Sequence, residues 1–286
     1  MRARAPASSA NLGPGFDTVA VALGLYVEVE ITPTGPLRIE THGHGSDQPT
    51  DHSHLAARVA RHVLGHDDVS IVVRSEIPLS KGLGSSAALA VAAAAAAGAE
   101  DPLAVAAGFD GHVENAAASF HGGLVVAGLV EGQPVARRVP LDGRLRFVAV
   151  VPDRSLATPL ARSVLPATVA LADAVHNLSR LALLLRGLED ADELLPEAGE
   201  DKLHQPYRTA LFPESAGLLE ALRQGGATVS CWSGAGPSLI GICTSEASAE
   251  GAADAAGLAM ESLGVAGVVT LLRADHAGLV LDPPPS

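Results

Sequence analysis

Residues 78 to 88, Pro-Leu-Ser-Lys-Gly-Leu-Gly-Ser-Ser-Ala-Ala, set two glycines and two serines directly ahead of a nearly unbroken alanine run. Gly82 and Gly84 lack a Cβ, so the backbone around them reaches conformations closed to other residues and can turn several N–H groups toward one anion. The run from Ser86 to Ala97 predicts a helix of about 18 Å, with Ser85 as its cap and Gly98 as the residue that stops it. The positive end of that helix points at the loop, so a phosphate group is expected there.

Gly82-Leu83-Gly84-Ser85-Ser86-Ala87 also fits the loose dinucleotide pattern G-x-G-x-x-A. That unit requires a second parallel strand after the helix, with an acidic residue at its end. Here Ala99-Glu100-Asp101-Pro102 leads instead into Leu103 to Ala107, another helical run. A Walker A loop places Lys-Ser or Lys-Thr after its last glycine, whereas Lys81 precedes both glycines. The plainest alternative is a helix entered through an ordinary glycine turn; the segments described below weigh against it.

With 286 residues the chain has room for one large domain or two smaller ones, and two are expected. Apolar residues make up 48% of it but aromatics only 3%, so the core must be built from Ala, Val and Leu, with elements packed closely. Ala87 to Ala97 is too short and too weakly apolar to cross a bilayer. Met1 to Pro6 lacks the apolar stretch of a secretory signal, so a cytoplasmic protein with no membrane partner is expected. Cys231 and Cys243 read as buried strand thiols rather than as a zinc site or a disulfide. A net charge of −13 argues against a nucleic-acid partner. A polyanionic ligand must then be met by helix N-termini, a cation and a few basic side chains, with Lys81, Arg162 and Arg208 as candidates.

Val19 to Thr32 alternates in the manner of a half-buried strand and is ended by Pro33. Leu37 to Glu40 predicts a short strand, Leu55 to Leu64 a helix, and Val69 to Arg74 a strand that delivers the chain to the glycine loop, with two helices after it. Gly123 to Gly128 and Gln133 to Val139 read as a strand and its return, and Leu145 to Val151 opens a new β segment. Helices are expected over Ala167 to Gly187, Leu218 to Arg223 and Ala247 to Leu263. Strands are expected around a glycine turn in Thr228 to Cys243 and over Val268 to Leu272. The result is an α+β chain with helices covering antiparallel sheets. His42, His44, His52 and His54 admit a metal-binding reading on composition alone, but the interleaved Gly and Ser favour an exposed loop.

Three blocks are similar to those of the GHMP small-molecule kinases. They are Pro6-Ala7-Ser8-Ser9-Ala10-Asn11-Leu12-Gly13-Pro14-Gly15-Phe16-Asp17, the loop at 78 to 88, and Ser233-Gly234-Ala235-Gly236-Pro237-Ser238. Their order and wide separation cover most of the chain. Asp201-Lys202-Leu203-His204-Gln205-Pro206-Tyr207-Arg208, and Gly111-His112-Val113-Glu114-Asn115-Ala116 followed by Gly122-Gly123, resemble the homoserine kinase branch. The resemblance implies a two-domain GHMP kinase fold: a ribosomal protein S5 domain 2-like N-terminal domain over 1–143, a ferredoxin-like C-terminal domain over 144–280 and a disordered tail over 281–286. The turn Asp142-Gly143 marks the boundary. It also implies ATP-dependent phosphorylation of the hydroxyl of L-homoserine to O-phospho-L-homoserine, a step of threonine biosynthesis, with Mg²⁺ as cofactor. A homodimer stays open. So do two alternatives, a kinase for another small alcohol and a catalytically silent relative that binds nucleotide or amino acid.

By the same resemblance, Pro78, Lys81, Gly82, Leu83, Gly84, Ser85, Ser86 and Ala87 hold the nucleotide, and Ser86 and Asp110 hold Mg²⁺, a hard cation that prefers oxygen ligands. The family generally carries Glu where this chain has Asp110 and Asp where it has Glu114, so the two carboxylates exchange lengths. One methylene moves an oxygen by roughly 1.5 Å, which leaves a water-bridged ion as an option. Asn11 and Asp17 are assigned to the ammonium and hydroxyl end of the acceptor. Arg162 and Arg208 are assigned to its carboxylate, since a guanidinium can grip a carboxylate through two parallel bonds. His112, Glu114, Asn115 and Gly234 complete the cup, and Asp17, Ser86 and Asp110 stand at the chemistry. His54 edges the nucleotide pocket by analogy, although the family's usual asparagine is missing. A surface acid at Asp110 and a turn residue at Asn11 are the plainer readings of the same letters. No base is assigned: His112 and Asp17 both stay open, and a well-placed hydroxyl can lose its proton to phosphate or water.

Overall fold

Alternation begins with the first residues: Ala3 and Ala5 are fully buried while Arg2 and Arg4 face outward, so β1 (Arg2–Asn11) is a strand with one face on the core. Sequence reasoning treats this stretch as a motif and not as a strand, because it holds no β-branched residue. Pairing along both of its edges, rather than intrinsic preference, makes it one. The structure, a computed structural model, describes residues 1–33 and 35–282.

Asn11, Leu12 and Gly13 turn at positive φ into β2 (Gly15–Thr32), which runs back antiparallel to β1. Next come β3 (Arg38–Gly43), α1 (Leu55–Leu64) and β4 (Ser70–Ser75). β3 pairs parallel with β4, a departure from the antiparallel expectation, and α1 supplies the crossover that a parallel pair needs. Three helices follow rather than two: α2 (Ser85–Ala96), α3 (Pro102–Asp110) and α4 (Val113–His121). α2 is buried almost all round, seated on β1 and β2 with α1, α3 and α4 about it. Its alanines let those neighbours approach closely. β5 (Leu124–Val130) and β6 (Gln133–Val139) form a hairpin attached to β2.

The chain changes sheet at β7 (Arg146–Pro152) and continues through α5 (Thr158–Ser163) and α6 (Leu171–Glu189), the latter starting at Leu171 rather than Ala167. After two short 3₁₀ turns come α7 (Gln205–Arg208), α8 (Ser215–Gln224), β8 (Val229–Trp232), β9 (Leu239–Cys243), α9 (Glu246–Leu263), β10 (Gly267–Leu272) and β11 (Val280–Asp282). The second sheet has the order β10-β7-β9-β8, so β7, β8, β9, α9 and β10 with the intervening helices make a ferredoxin-like unit. β11 leaves that unit and joins the outer edge of β1 in the first sheet. Leu281 and Asp282, expected in a disordered tail, are therefore strand residues; the Pro283-Pro284-Pro285 part of that expectation lies outside the described residues.

Alternate residues of β7 serve two cores. Phe147, Ala149 and Val151 belong to a core that continues through Leu184 and Leu188 of α6 into the first sheet. Val148 and Val150 pack with Trp232, Leu239 and the alanines of α9. No helix among the described residues is long and apolar enough to cross a membrane.

Candidate active site

The loop from β4 to α2 lies between the N-terminal strand and the turn at 233 to 238. A Cβ on Gly84 would overlap the Ser8 hydroxyl, and one on Gly82 would run into the Ser233 carbonyl. Both glycines also sit at positive φ, 80° for Gly82 and 63° for Gly84, so close approach and backbone conformation each require them. Ser233 Oγ donates to the Gly82 carbonyl at 2.6 Å, Ser238 N to the Lys81 carbonyl at 3.1 Å, and Ser8 N to the Leu83 carbonyl at 3.2 Å. α2 begins at Ser85 with Gly84 as its N-cap and no capping side chain, which corrects the expectation that Ser85 caps the helix. Its first-turn amides stay free for an anion.

That helix end opens on a cavity of about 450 Å³. Lys81, Gly82, Leu83, Gly84, Ser85 and Ser86 line it, together with His54 and Leu55. Pro78 and Ala87 do not; Ala87 is fully buried in the core. The Lys81 ammonium donates to the carbonyls of Asp153 and Arg154, the latter at 2.8 Å, and ties the loop to the segment after β7. Burial lowers its pKa.

Ser86 Oγ donates to Asp110 Oδ1 at the cavity wall. The Asp110 side chain is only 6% exposed, which removes the surface-acid reading, and His112 Nδ1 lies 3.3 Å from its other oxygen. The His112 ring is held above its usual pKa by the hydrogen bond with Asp110.

At the opposite end three sequence blocks meet on one oxygen. The Gly234 carbonyl accepts from Asn11 Nδ2 and from Arg208 Nη1, each at 2.8 Å. Asn11 Oδ1 in turn accepts from the Asp17 amide at 3.0 Å. Arg162 of α5 grips Asp17 through two bonds, and the guanidinium carbons of Arg162 and Arg208 lie 5.5 and 5.6 Å from the centre of the Phe16 ring. Glu114, 3% exposed in the first turn of α4, accepts from Asn115 Nδ2, and Asn115 Oδ1 accepts from Ser8 Oγ beneath Gly84. Burial pushes the Glu114 carboxyl up to about 7.

Residues 53–123 match the model of the GHMP kinases N terminal domain, and residues 175–262 that of the GHMP kinases C terminal. The chain is 42% identical to the homoserine kinase of Corynebacterium diphtheriae over 93% of its own length and 94% of the relative's. This chain belongs to the homoserine kinase family of the GHMP kinases. Against the homoserine kinase of Moorella thermoacetica the identity is 36%, covering 97% of this chain and 99% of that one. The two-domain fold is that of the crystal structure of homoserine kinase from Cytophaga hutchinsonii, with a TM-score of 0.86 at 24% identity over 98% and 96% of the two chains.

Of the residues that the family resemblance singles out, Asn11, Asp17, Lys81, Gly82, Leu83, Gly84, Ser85, Ser86, Asp110, His112, Glu114, Asn115, Arg162, Arg208 and Gly234 line the one cavity. Sequence reasoning passes over Phe16, whose ring faces both guanidiniums, and Thr158, which lines the cavity beside Arg162. It also passes over the pair beneath Arg208: Asp201, which accepts from the amides of Leu203, His204 and Gln205, and His204, which accepts from Arg208. The four-residue spacing of His204 and Arg208 on one helical turn is the signal that was available for the second of these. His42, His44 and His52 are exposed, as the loop reading expects, whereas His54 is buried and its ring caps α1 by accepting from the Ala56 amide.

Proposed function

We propose that this chain is an ATP-dependent kinase that moves the γ-phosphoryl group of ATP to the side-chain hydroxyl of L-homoserine, giving ADP and O-phospho-L-homoserine. One observation carries the reading: a single cavity joins an uncapped helix N-terminus to a facing pair of opposite charges, Asp17 and Arg162, with Arg208 behind them. The first feature suits a polyphosphate, and the second suits the ammonium and carboxylate of an amino acid. The homoserine kinases to which the chain is similar support the same acceptor.

Phosphoryl transfer asks mainly for in-line positioning and for charge placed where it develops. The backbone from Gly82 to Ser86 and the α2 amides hold the phosphates, while Asp17 takes the ammonium and Arg162 and Arg208 take the carboxylate. Asn11, Glu114 and Asn115 close the cup around the attacking hydroxyl. The donor set fits Mg²⁺: the Ser86 hydroxyl and the Asp110 carboxylate are hard oxygens in direct contact, so Asp110 reaches the hydroxyl despite its shorter chain. These two oxygens would hold the ion, which would supply positive charge to offset that developing on the transferred group.

ADP release measured with L-homoserine, L-serine, L-threonine and 4-hydroxybutyrate tests the reading. Homoserine is expected to exceed the others in kcat/KM by about 100-fold or more. ADP formation with another alcohol and none with homoserine overturns the acceptor; none with any alcohol overturns the kinase assignment.

A further inference from the structure

Arg208 is 2% exposed, and a guanidinium buried to that extent ordinarily has a carboxylate partner. Among the described residues it has none. Asp17 is occupied by Arg162. Asp201 spends its oxygens on Asn177 Nδ2 at 2.7 Å and on the amides of Leu203, His204 and Gln205 at 2.9, 3.0 and 2.7 Å. The bonds that Arg208 makes go to neutral acceptors, the Gly234 carbonyl at 2.8 Å and His204 Nδ1 at 3.0 Å, and its Nε has no partner.

The neighbours of His204 fix which ring nitrogen carries the hydrogen. Its Nε2 lies 2.8 Å from the Gly13 carbonyl, a contact that is a bond only if Nε2 donates, so Nδ1 presents a lone pair to Arg208. The ring is fully buried and stacked on Phe16 with centroids 5.0 Å apart, and burial lowers its pKa against the pull of Asp201 Oδ2, 3.6 Å from Nε2. One imidazole therefore connects the Gly13 turn, which leads to Asp17, with the guanidinium that faces the acceptor.

We infer that His204 is a positioning residue: it aims Arg208 at the carboxylate of the acceptor while leaving the guanidinium's charge uncancelled, so that the carboxylate of the amino acid supplies the missing counter-charge. A carboxylate at position 204 would satisfy the same geometry and remove that demand. The inference rests on the homoserine reading above.

Calorimetric titration of L-homoserine and of L-homoserinamide, which lacks the carboxylate charge, into wild type, His204→Asn and His204→Asp tests it. Asn and Asp are nearly the same shape, and either can place an acceptor oxygen where Nδ1 lies. His204→Asn is expected to weaken homoserine about fivefold and His204→Asp about 100-fold, with homoserinamide changing less than about threefold between the two variants. Circular dichroism reports whether each variant folds. Should His204→Asp not fold, His204→Leu keeps a similar volume, adds no charge and removes the acceptor toward Arg208. It is expected to weaken homoserine about tenfold and leave homoserinamide alone. Equal losses for Asn and Asp, or equal losses for homoserine and its amide in any variant, overturn the inference while leaving the acceptor reading intact. Absence of homoserine binding by wild type removes the acceptor reading, and this inference falls with it.

Discussion

Arg162 and Asp17, separated by 145 residues in sequence, meet in a two-pronged ion pair, Nη1 to Oδ2 at 3.0 Å and Nη2 to Oδ1 at 2.7 Å. Each side chain is about two-fifths exposed, so the pair contributes little to holding the fold. On the function proposed above, an incoming zwitterion would exchange partners with it, ammonium to Asp17 and carboxylate to Arg162, without stranding either charge. An acceptor that carries only one of the two charges leaves the other side chain unmatched.

Arg162→Ala is accordingly expected to change unfolding free energy by less than about 0.5 kcal/mol. It should raise the KM for homoserine about tenfold or more, the ~1.5 to 3 kcal/mol of a charged hydrogen bond, with the KM for ATP unchanged. Steady-state kinetics with each substrate varied in turn checks this. Arg162→Lys keeps the charge but loses the fork, and should recover only part of the affinity.

Asp110→Asn keeps the shape of the group that contacts Ser86 and removes its charge. A fall in kcat of about 100-fold or more is expected, with the homoserine KM nearly constant, because the lost interaction matters most when charge moves between phosphates. A variant with unchanged kcat would remove Asp110 from the chemistry.

Burial lifts the Glu114 carboxyl from 4.5 to about 7, with Asp17 and Asp110 pushing the same way and His112 opposing. Between those two values the native chain holds a proton that the unfolded chain releases, so stability from this group is complete below 4.5 and is lost as pH rises toward 7. Glu114→Gln removes the dependence. It should gain on the order of 2 kcal/mol over wild type at high pH and almost none at acid pH, read from denaturant melts across the range.

Gly84→Ala places a methyl group against Ser8 Oγ at a residue whose φ is 63°. A loss of about 2 kcal/mol or more is expected from the strained backbone and the overlap together, along with weaker binding of a non-hydrolysable ATP analogue. Ser8→Ala in the same chain removes the overlapping oxygen and should return part of the loss. Calorimetric melting of the single and double variants separates the two contributions.

What the letters reveal here depends on whether a residue's partner is near it in the chain. α1 falls on Leu55–Leu64 as its periodicity predicts, and Gly98 at φ 86° stops the alanine helix, since both are matters of local backbone preference. Ser85 reads as a cap because serine prefers that place, but Gly84, against which Ser8 packs, is the N-cap, and the helix starts one residue earlier than expected, at Ser85 itself. Lys81 reads as a phosphate ligand, and only the folded chain brings the Asp153 and Arg154 carbonyls within its reach. β1 escapes notice because its strand character comes from β2 and β11. The motif blocks place Asn11, Arg208 and Gly234 in one pocket, whereas His204 stays silent until the Gly13 carbonyl and the Arg208 guanidinium are seen on either side of it.

The last described strand lies beside the first, Asp282 opposite Arg2 and Val280 opposite Arg4. The chain thus clasps itself: the ferredoxin-like lobe is a long excursion begun and ended on the sheet that carries Ser8 and Asn11. A nick in the turn at Gly143 would leave two pieces still buckled together at their far ends. Trimming the C-terminus before Val280 would unfasten the edge of β1 and loosen, from a distance, the strand that brings Asn11 to the cavity.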